Sequence, residues 1–285
     1  MNTPVLSDLA GRFVGGDDLP AGLTVVRGLN ARGIKASLNS HGMHAREPAE
    51  AIHAADEAIE ALHRIREEGI DSHVSVKLTK IGLDVGLTFC LGQLGRILDA
   101  AASTGGFVRI DMEESTYLDQ TLRTFEEMQD RYGDATVGLV VQSYLRFRSA
   151  DLDRLMARGA RVRLVKGGCR EPAQVAFQSE AEIDAAFMRD IGRLLRSGNT
   201  PAIATHDAAA IAWTKRWQAQ LGLGSDAFEF QMLHGVKPEI QEALIGEGYT
   251  VRAYVPYGGD WPAHMVSCLR QIMPGSRGPT HHHAN

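Results

Sequence analysis

Eight short apolar runs are spaced along the chain, and nearly every one ends on a polar or ionisable residue. They are KASLN (35–39), VSVKL (74–78), FVRIDM (107–112), VGLVVQSY (137–144), VRLVKG (162–167), AIATHD (202–207), FEFQMLHG (228–235) and VRAYVPYG (251–258). Apolar runs of this length, bounded by turn residues, predict buried strands of a parallel sheet. The segments between them carry helical period. Residues 47–68 place Ile52, Ala55, Ile59, Leu62 and Ile65 on one face, and 88–103 repeat the pattern with Leu91, Leu94 and Leu98. Further helices are expected at 117–132, 150–158, 180–196, 208–221, 238–246 and 261–272, with glycines between elements marking the stops.

Strands that alternate with helices imply parallel pairing, because each crossover needs a covering helix. Eight β/α units predict an α/β fold, a TIM-like (β/α)8 barrel. The rival, a doubly wound open sheet, would carry a Gly-rich strand-to-helix turn, and no G-x-G-x-x-G occurs. The expected organisation is an N-terminal helical segment (1–33) covering the barrel's bottom, a catalytic barrel (34–275) with its last helix near the C-terminal mouth, and a flexible tail (276–285).

Composition narrows the function. A formal charge of -5 over 285 residues argues against an electrostatic nucleic-acid footprint. No apolar run is long enough to cross a bilayer, and the first residues lack the basic flank and apolar core of a signal peptide. Cys90, Cys169 and Cys268 show no C-x-x-C spacing, which fits a reduced cytoplasmic setting. The His281-His282-His283 tract reads as tail, and no metal is expected.

In a barrel of this kind, chemistry sits at the C-terminal ends of the strands. Those ends carry Asn39, Lys77, Asp111, Gln142, Lys166, His206, Gln231 and Tyr254. Lys77 lies in an apolar run where a charge needs a partner, and Asp111, one strand along, is the expected one. Arg163, Lys166 and His206 together predict a cationic mouth suited to an anion. His234 reads as a satisfied core histidine.

The ordered set VSVKL, VRIDMEES, GLVVQSYL, VRLVKGG, ATHD, FEFQMLHG and RAYVPYG, with the early LNARGIKASL, resembles the proline dehydrogenase family of flavoenzymes. The resemblance covers nearly the whole chain. It implies a distorted (β/α)8 barrel that binds FAD non-covalently at its mouth, oxidises proline to pyrroline-5-carboxylate, and passes electrons to a quinone or other acceptor. By motif position, Arg163 would hydrogen-bond the flavin's reactive nitrogen and Gln142 would contact the isoalloxazine edge. Lys166, Gly167, Thr205, His206 and Gln231 would line the rest of the cofactor path, with Asp111 beside the site. Lys77 would meet the substrate carboxylate, and Tyr254 would pack on the substrate ring.

The chain departs from the family pattern where substrate is gripped. The last helix of the family runs roughly W-Y-P-Y-x-x-Arg-Arg-x-x-Glu. Here Ser267 and Cys268 stand at the paired arginines, Gln271 at the glutamate and His264 at a tyrosine. Cys169 replaces an expected tyrosine, and Met43 replaces the glutamate of a Leu-Gly-Glu motif. Losing two arginine contacts to a carboxylate costs on the order of 3–6 kcal/mol. Arg270 lies one turn from Ser267 and offers only partial rescue. Cys169 has two readings, a pocket-enlarging filler or a thiol activated by nearby Lys166 and Arg170.

The expectation is a flavin-dependent dehydrogenase acting on the C–N bond of proline or a proline-like cyclic amine, with a substrate other than free L-proline. Ordinary L-proline dehydrogenase is the first alternative. A Schiff-base lysine barrel using Lys77 or Lys166, or a non-catalytic family member, are the others.

Overall fold

The computed structural model describes residues 13–42, 44–146, 149–169, 171–197 and 199–258. The expected helix at 261–272, the tail, and the sites expected at Met43, Arg170, His264, Ser267, Cys268, Arg270 and Gln271 lie outside the described residues.

Eight parallel strands close into a barrel in chain order: β1 (Lys35–Ser40), β2 (Ser72–Val76), β3 (Val108–Ile110), β4 (Val137–Gln142), β5 (Val162–Val165), β6 (Ala202–Ala204), β7 (Glu229–Leu233) and β8 (Thr250–Tyr257). The ring closes where β1 and β8 pair in register from Lys35 with Arg252 to Ser40 with Tyr257. Among the described residues there are eight α-helices, of which one, α1 (Leu19–Asn30), precedes β1. Seven follow in alternation: α2 (Pro48–Glu68), α3 (Leu87–Thr104), α4 (Leu118–Tyr132), α5 (Ser149–Ala157), α6 (Glu180–Ser197), α7 (Ala208–Leu221) and α8 (Pro238–Gly246).

The helix ends follow local chemistry. Asp18 accepts the Ala21 amide at 2.9 Å to start α1, with Pro20 in the first turn. Asp207 accepts the Ala209 amide at 2.8 Å to start α7. Helix α2 buries Ala51, Ala54, Ala55, Ala58, Ala61, Leu62 and Ile65, so its contact stripe is mostly alanine. Ile52, expected on that stripe, is instead exposed.

Of the N-terminal segment expected at the barrel's bottom, residues 1–12 lie outside the described residues, and helix α1 is elsewhere. It lies on the flank, against β1 and β8: a Cβ on Gly22 would meet Leu38 and Tyr257 at 3.2 and 3.3 Å. Just before it, Gly15 donates to the Pro256 carbonyl at 2.7 Å, tying the incoming chain to β8.

Along each strand, one set of side chains faces the helices and the other faces the lumen. Leu38, Val74, Val76, Val108, Ile110, Leu139, Leu164, Ile203, Phe230 and Val251 belong to the shared apolar core. Burying side chains of this size contributes roughly 1.5–3 kcal/mol each. The lumen itself departs from the apolar strand bodies read from sequence. Arg109, Glu229 and Arg252 are buried in its lower half. Arg252 donates from Nε to both Glu229 oxygens at 3.1 Å and from Nη1 to the Ala36 carbonyl at 2.7 Å. Burial opposes the Glu229 charge, yet Arg252 and Gln231 hold its carboxyl below the ordinary range. Gly138 leaves room for Arg109, since a Cβ there would sit 2.6 Å from the guanidinium.

Candidate active site

The upper lumen converges on Arg163 of β5. Its Nη1 donates to Asp111 Oδ1 at 2.8 Å, and its Nη2 reaches Ser75 Oγ at 3.1 Å and Ser37 Oγ at 3.3 Å. Tyr254 of β8 donates its hydroxyl to Asp111 Oδ2 at 2.8 Å, and the Arg163 guanidinium lies 5.2 Å from the Tyr254 ring centre. These bonds join β1, β2, β3, β5 and β8, so they cross the lumen. Arg163 and Asp111 are almost fully buried, with side-chain exposures of 5% and 10%. A buried pair persists when its remaining donors and acceptors are largely met, and the two serines and the tyrosine meet them except for Arg163 Nε, which has no partner among the described residues.

The predicted Lys77–Asp111 pair is therefore corrected: both Asp111 oxygens are taken, by Arg163 and Tyr254. Strand β2 ends at Val76, two residues before the expected bound. Lys77 leads a turn in which Leu83 donates to the Leu78 carbonyl at 2.9 Å. Lys77 is half-buried at the mouth, and its ammonium makes no hydrogen bond or ion pair with the described residues. It still acts on Glu113 and Cys169 through its charge.

Around this cluster stand the other predicted residues. Gln142 ends β4, buried, with Nε2 3.4 Å from the Met112 carbonyl and Oε1 without a partner. Lys166 follows β5 and is held by Asp184 at 2.5 Å and Asp207 at 2.9 Å. Burial works against its charge, but the two carboxylates raise its pKa. Gly167 adopts φ +117°, and a Cβ there would fall 2.1 Å from the Tyr144 ring. Thr205 is buried beyond β6, and its hydroxyl accepts the Asp207 amide at 3.0 Å. Gln231 of β7 donates to Glu229 Oε1 at 2.5 Å.

Two electrostatic expectations change. His206 accepts the Leu233 amide at Nε2, 2.9 Å away, and burial together with Lys237 lowers its pKa to about 4. It is neutral near pH 7. With Lys166 neutralised by two aspartates, the described residues give the mouth a fixed cation, Arg163, and an amine without a described partner, Lys77, rather than a general cationic patch. Cys169 has its thiol pushed up to about 11, by burial first and then by Glu114, Glu171 and Glu113. The filler reading of Cys169 fits this environment, and an activated thiolate does not. His234 is half-buried, and burial lowers its pKa as well.

Sequence reasoning missed Ser37, Ser75 and Glu113. The serines alternate with Ala36, Leu38, Val74 and Val76, and that two-residue period was their signal. Glu113 is buried beyond β3 and binds the Thr79 hydroxyl at 2.6 Å and the Thr79 amide at 3.2 Å.

A closed parallel barrel with an ion pair in its lumen and polar groups along its C-terminal rim defines a (β/α)8-barrel enzyme. Known proteins agree on which one. The family described as Proline dehydrogenase matches residues 23–262. A proline dehydrogenase of Deinococcus radiodurans is 38% identical over 268 residues, covering 90% of this chain and 84% of its own. Proline dehydrogenase 1 of Bacillus subtilis (strain 168) is 38% identical over 257 residues, again covering 90% and 84%. Among solved structures, proline utilization A from Bdellovibrio bacteriovorus, inactivated by N-propargylglycine, superposes with a TM-score of 0.87 at 24% identity. That match covers 95% of this chain and 33% of the larger protein, and it speaks to the fold. The chain belongs to the proline dehydrogenase family, and it is an oxidoreductase acting on CH–NH groups.

Proposed function

We propose that the chain oxidises the C–N bond of proline, with FAD as its non-covalent cofactor and a quinone or other acceptor taking the electrons. The observation that carries this reading is the lumen cluster of Arg163, Asp111 and Tyr254, with Lys77 at the mouth and its ammonium unpaired among the described residues. The names of the curated relatives favour proline itself over an altered substrate. The expectation of a different substrate rests mainly on 264, 267, 268 and 271, which lie outside the described residues, and on Cys169.

The rim fits a flavin. Two buried polar atoms there lack partners among the described residues, Gln142 Oε1 as an acceptor and Arg163 Nε as a donor. An isoalloxazine edge, which alternates N–H and C=O groups, satisfies both kinds. Gln142, Arg163, Lys166, Gly167, Thr205, His206 and Gln231 are the residues proposed to hold it. Bound there, FAD supplies the two-electron acceptor for hydride from the carbon beside the amine nitrogen.

The chain's own residues do the remainder. Lys77 holds the substrate carboxylate as a point charge. Tyr254, fixed by Asp111, presents its ring to the substrate. Arg163 is locked by Asp111, Ser37 and Ser75, so its positive charge is in place before negative charge develops on the acceptor. A Schiff-base role for Lys166 has no support, since two carboxylates keep it protonated. No helix among the described residues is long and apolar enough to cross a membrane. We place the enzyme in the cytoplasm, at the membrane periphery where a quinone is reached.

The test is a visible spectrum of the purified protein followed by anaerobic titration. L-proline bleaches the flavin bands at millimolar concentration, and pyrrolidine, which lacks the carboxylate, does not. A yellow protein that a carboxylate-free cyclic amine bleaches and proline does not would restore the altered-substrate reading.

A further inference from the structure

Glu113 is a buried carboxylate that the proposed mechanism does not use. It lies two residues beyond Asp111, in the loop after β3, and is 9% exposed. Burial raises its pKa above the ordinary value, opposed by the Thr79 bonds and by Lys77 and His44. Such a group persists in a fold when its bonds fix something. Here Oε1 accepts the Thr79 hydroxyl at 2.6 Å and Oε2 the Thr79 amide at 3.2 Å. Thr79 is fully buried and stands two residues after Lys77, inside the turn that Lys77 opens.

That turn has no strand pairing, so other bonds set its course. Ile81 donates to the Lys77 carbonyl at 3.3 Å, and Ala45 donates to the Thr79 carbonyl at 3.1 Å. Lys80 reaches the Ser40 hydroxyl at 2.6 Å. Glu113 is the only carboxylate among the described residues that holds the turn by both backbone and side chain at one residue. It stands close enough to Lys77 for their charges to interact, yet forms no ion pair with it. On its solvent side, His44 Nε2 is 3.8 Å from Oε1, while Asp84 sits 3.1 Å from His44 Nδ1. Glu114, Cys169, Cys90 and Tyr117 are further titratable groups that interact with it.

We infer that Glu113 is a positioning residue: by clamping Thr79 it aims Lys77 into the mouth while leaving the amine free for a substrate carboxylate. The inference rests on the proposed role of Lys77. A purely structural tie between two loops is the competing account, and it would lower stability and flavin content without a selective effect on substrate binding.

The test compares wild-type holoenzyme with Glu113→Ala and Glu113→Gln. A glutamine still accepts the Thr79 amide and donates to its hydroxyl, so it keeps the clamp and removes the charge. Misplacing a binding group by about 1 Å is enough for large losses. In Glu113→Ala, KM for proline rises about tenfold or more while kcat and the flavin spectrum stay near wild type. Glu113→Gln recovers most of that loss. Crystal structures of both variants give an arm independent of activity, with the Lys77 turn displaced in the alanine variant and restored in the glutamine variant. An unmoved Lys77 with unchanged KM overturns the inference, as does a fall in kcat and flavin content at constant KM. Wild-type protein that neither binds flavin nor oxidises proline would sink the proposed function, and the structural arm would still decide the role of Glu113.

Discussion

Arg163 and Asp111 meet across the barrel lumen at 2.8 Å, from strands that are not neighbours, and both are almost fully buried. The pair joins the proposed flavin side of the mouth to the proposed substrate side, because Asp111 accepts the Tyr254 hydroxyl with its second oxygen. A substitution in either partner reaches both sides.

Removing one half of a buried ion pair strands the other, at a cost of about 3–5 kcal/mol, whereas removing both costs less. Arg163→Met is expected to lower the melting temperature by roughly 10 °C. Arg163→Met with Asp111→Asn recovers part of that fall. A thermal double-mutant cycle measures the coupling, and additive effects would show that the two charges act independently.

Tyr254→Phe keeps the ring and removes only the donor to Asp111. A hydrogen bond to a charged group contributes about 1.5–3 kcal/mol, and the loss falls on substrate binding because the ring is freed to tilt. KM for proline should rise about tenfold. The melting temperature changes less than in Arg163→Met, since Arg163 still neutralises Asp111. Steady-state kinetics with an artificial acceptor check this.

Much of this architecture was legible in the sequence because it depends on local period. Helices α7 and α8 fall at the bounds read from the chain, and all eight strands overlap the apolar runs, with β2 shifted by two residues. The lumen was harder. Ser37, Ser75, Arg109 and Arg252 each interrupt an apolar run by a single residue, and one polar position in a strand of three to eight residues reads equally as a solvent face. The partner of Asp111 was misread for a related reason. Neighbouring strands bring Lys77 close in topology, but β2 ends before it, and the lumen-crossing reach of Arg163 has no local signature. Likewise, His206 looked cationic by type, while burial and Lys237 make it neutral.

His206 gives the protein a stability slope in acid. Its folded pKa of about 4 lies below the ordinary 6.5, so the unfolded chain binds more protons between those values. Stability is therefore full above pH 6.5 and falls as pH drops toward 4, by up to about 3 kcal/mol. Melting curves from pH 7 to 4.5 should show the fall, and His206→Gln should flatten part of it. An unchanged slope in that variant would assign the acid sensitivity to other groups.

Cys169 should be a slow thiol. With its pKa raised to about 11, its thiolate population near pH 8 is on the order of a hundredfold below that of an ordinary cysteine. Peptide-resolved mass spectrometry after brief iodoacetamide treatment should find Cys169 far less alkylated in the folded protein than in urea. Rapid labelling of the folded protein would revive the reactive-thiol reading.

Gly167 tests how tightly the rim is built. Its φ of +117° lies outside the range L side chains adopt readily, and a Cβ would meet the Tyr144 ring at 2.1 Å. Tyr144 has little freedom to yield: it is buried, its hydroxyl reaches the Cys169 carbonyl at 3.2 Å, and its own carbonyl accepts the Phe177 amide at 2.8 Å. Gly167→Ala therefore carries both backbone strain and overpacking, each costing about 1–3 kcal/mol. Adding Tyr144→Ala removes the clash but not the strain. If both effects operate, the double variant regains part of the lost melting temperature relative to Gly167→Ala, yet stays below Tyr144→Ala alone. Equal melting temperatures for Tyr144→Ala and the double variant would show that the ring, and not the backbone, excludes a side chain at this point of the rim.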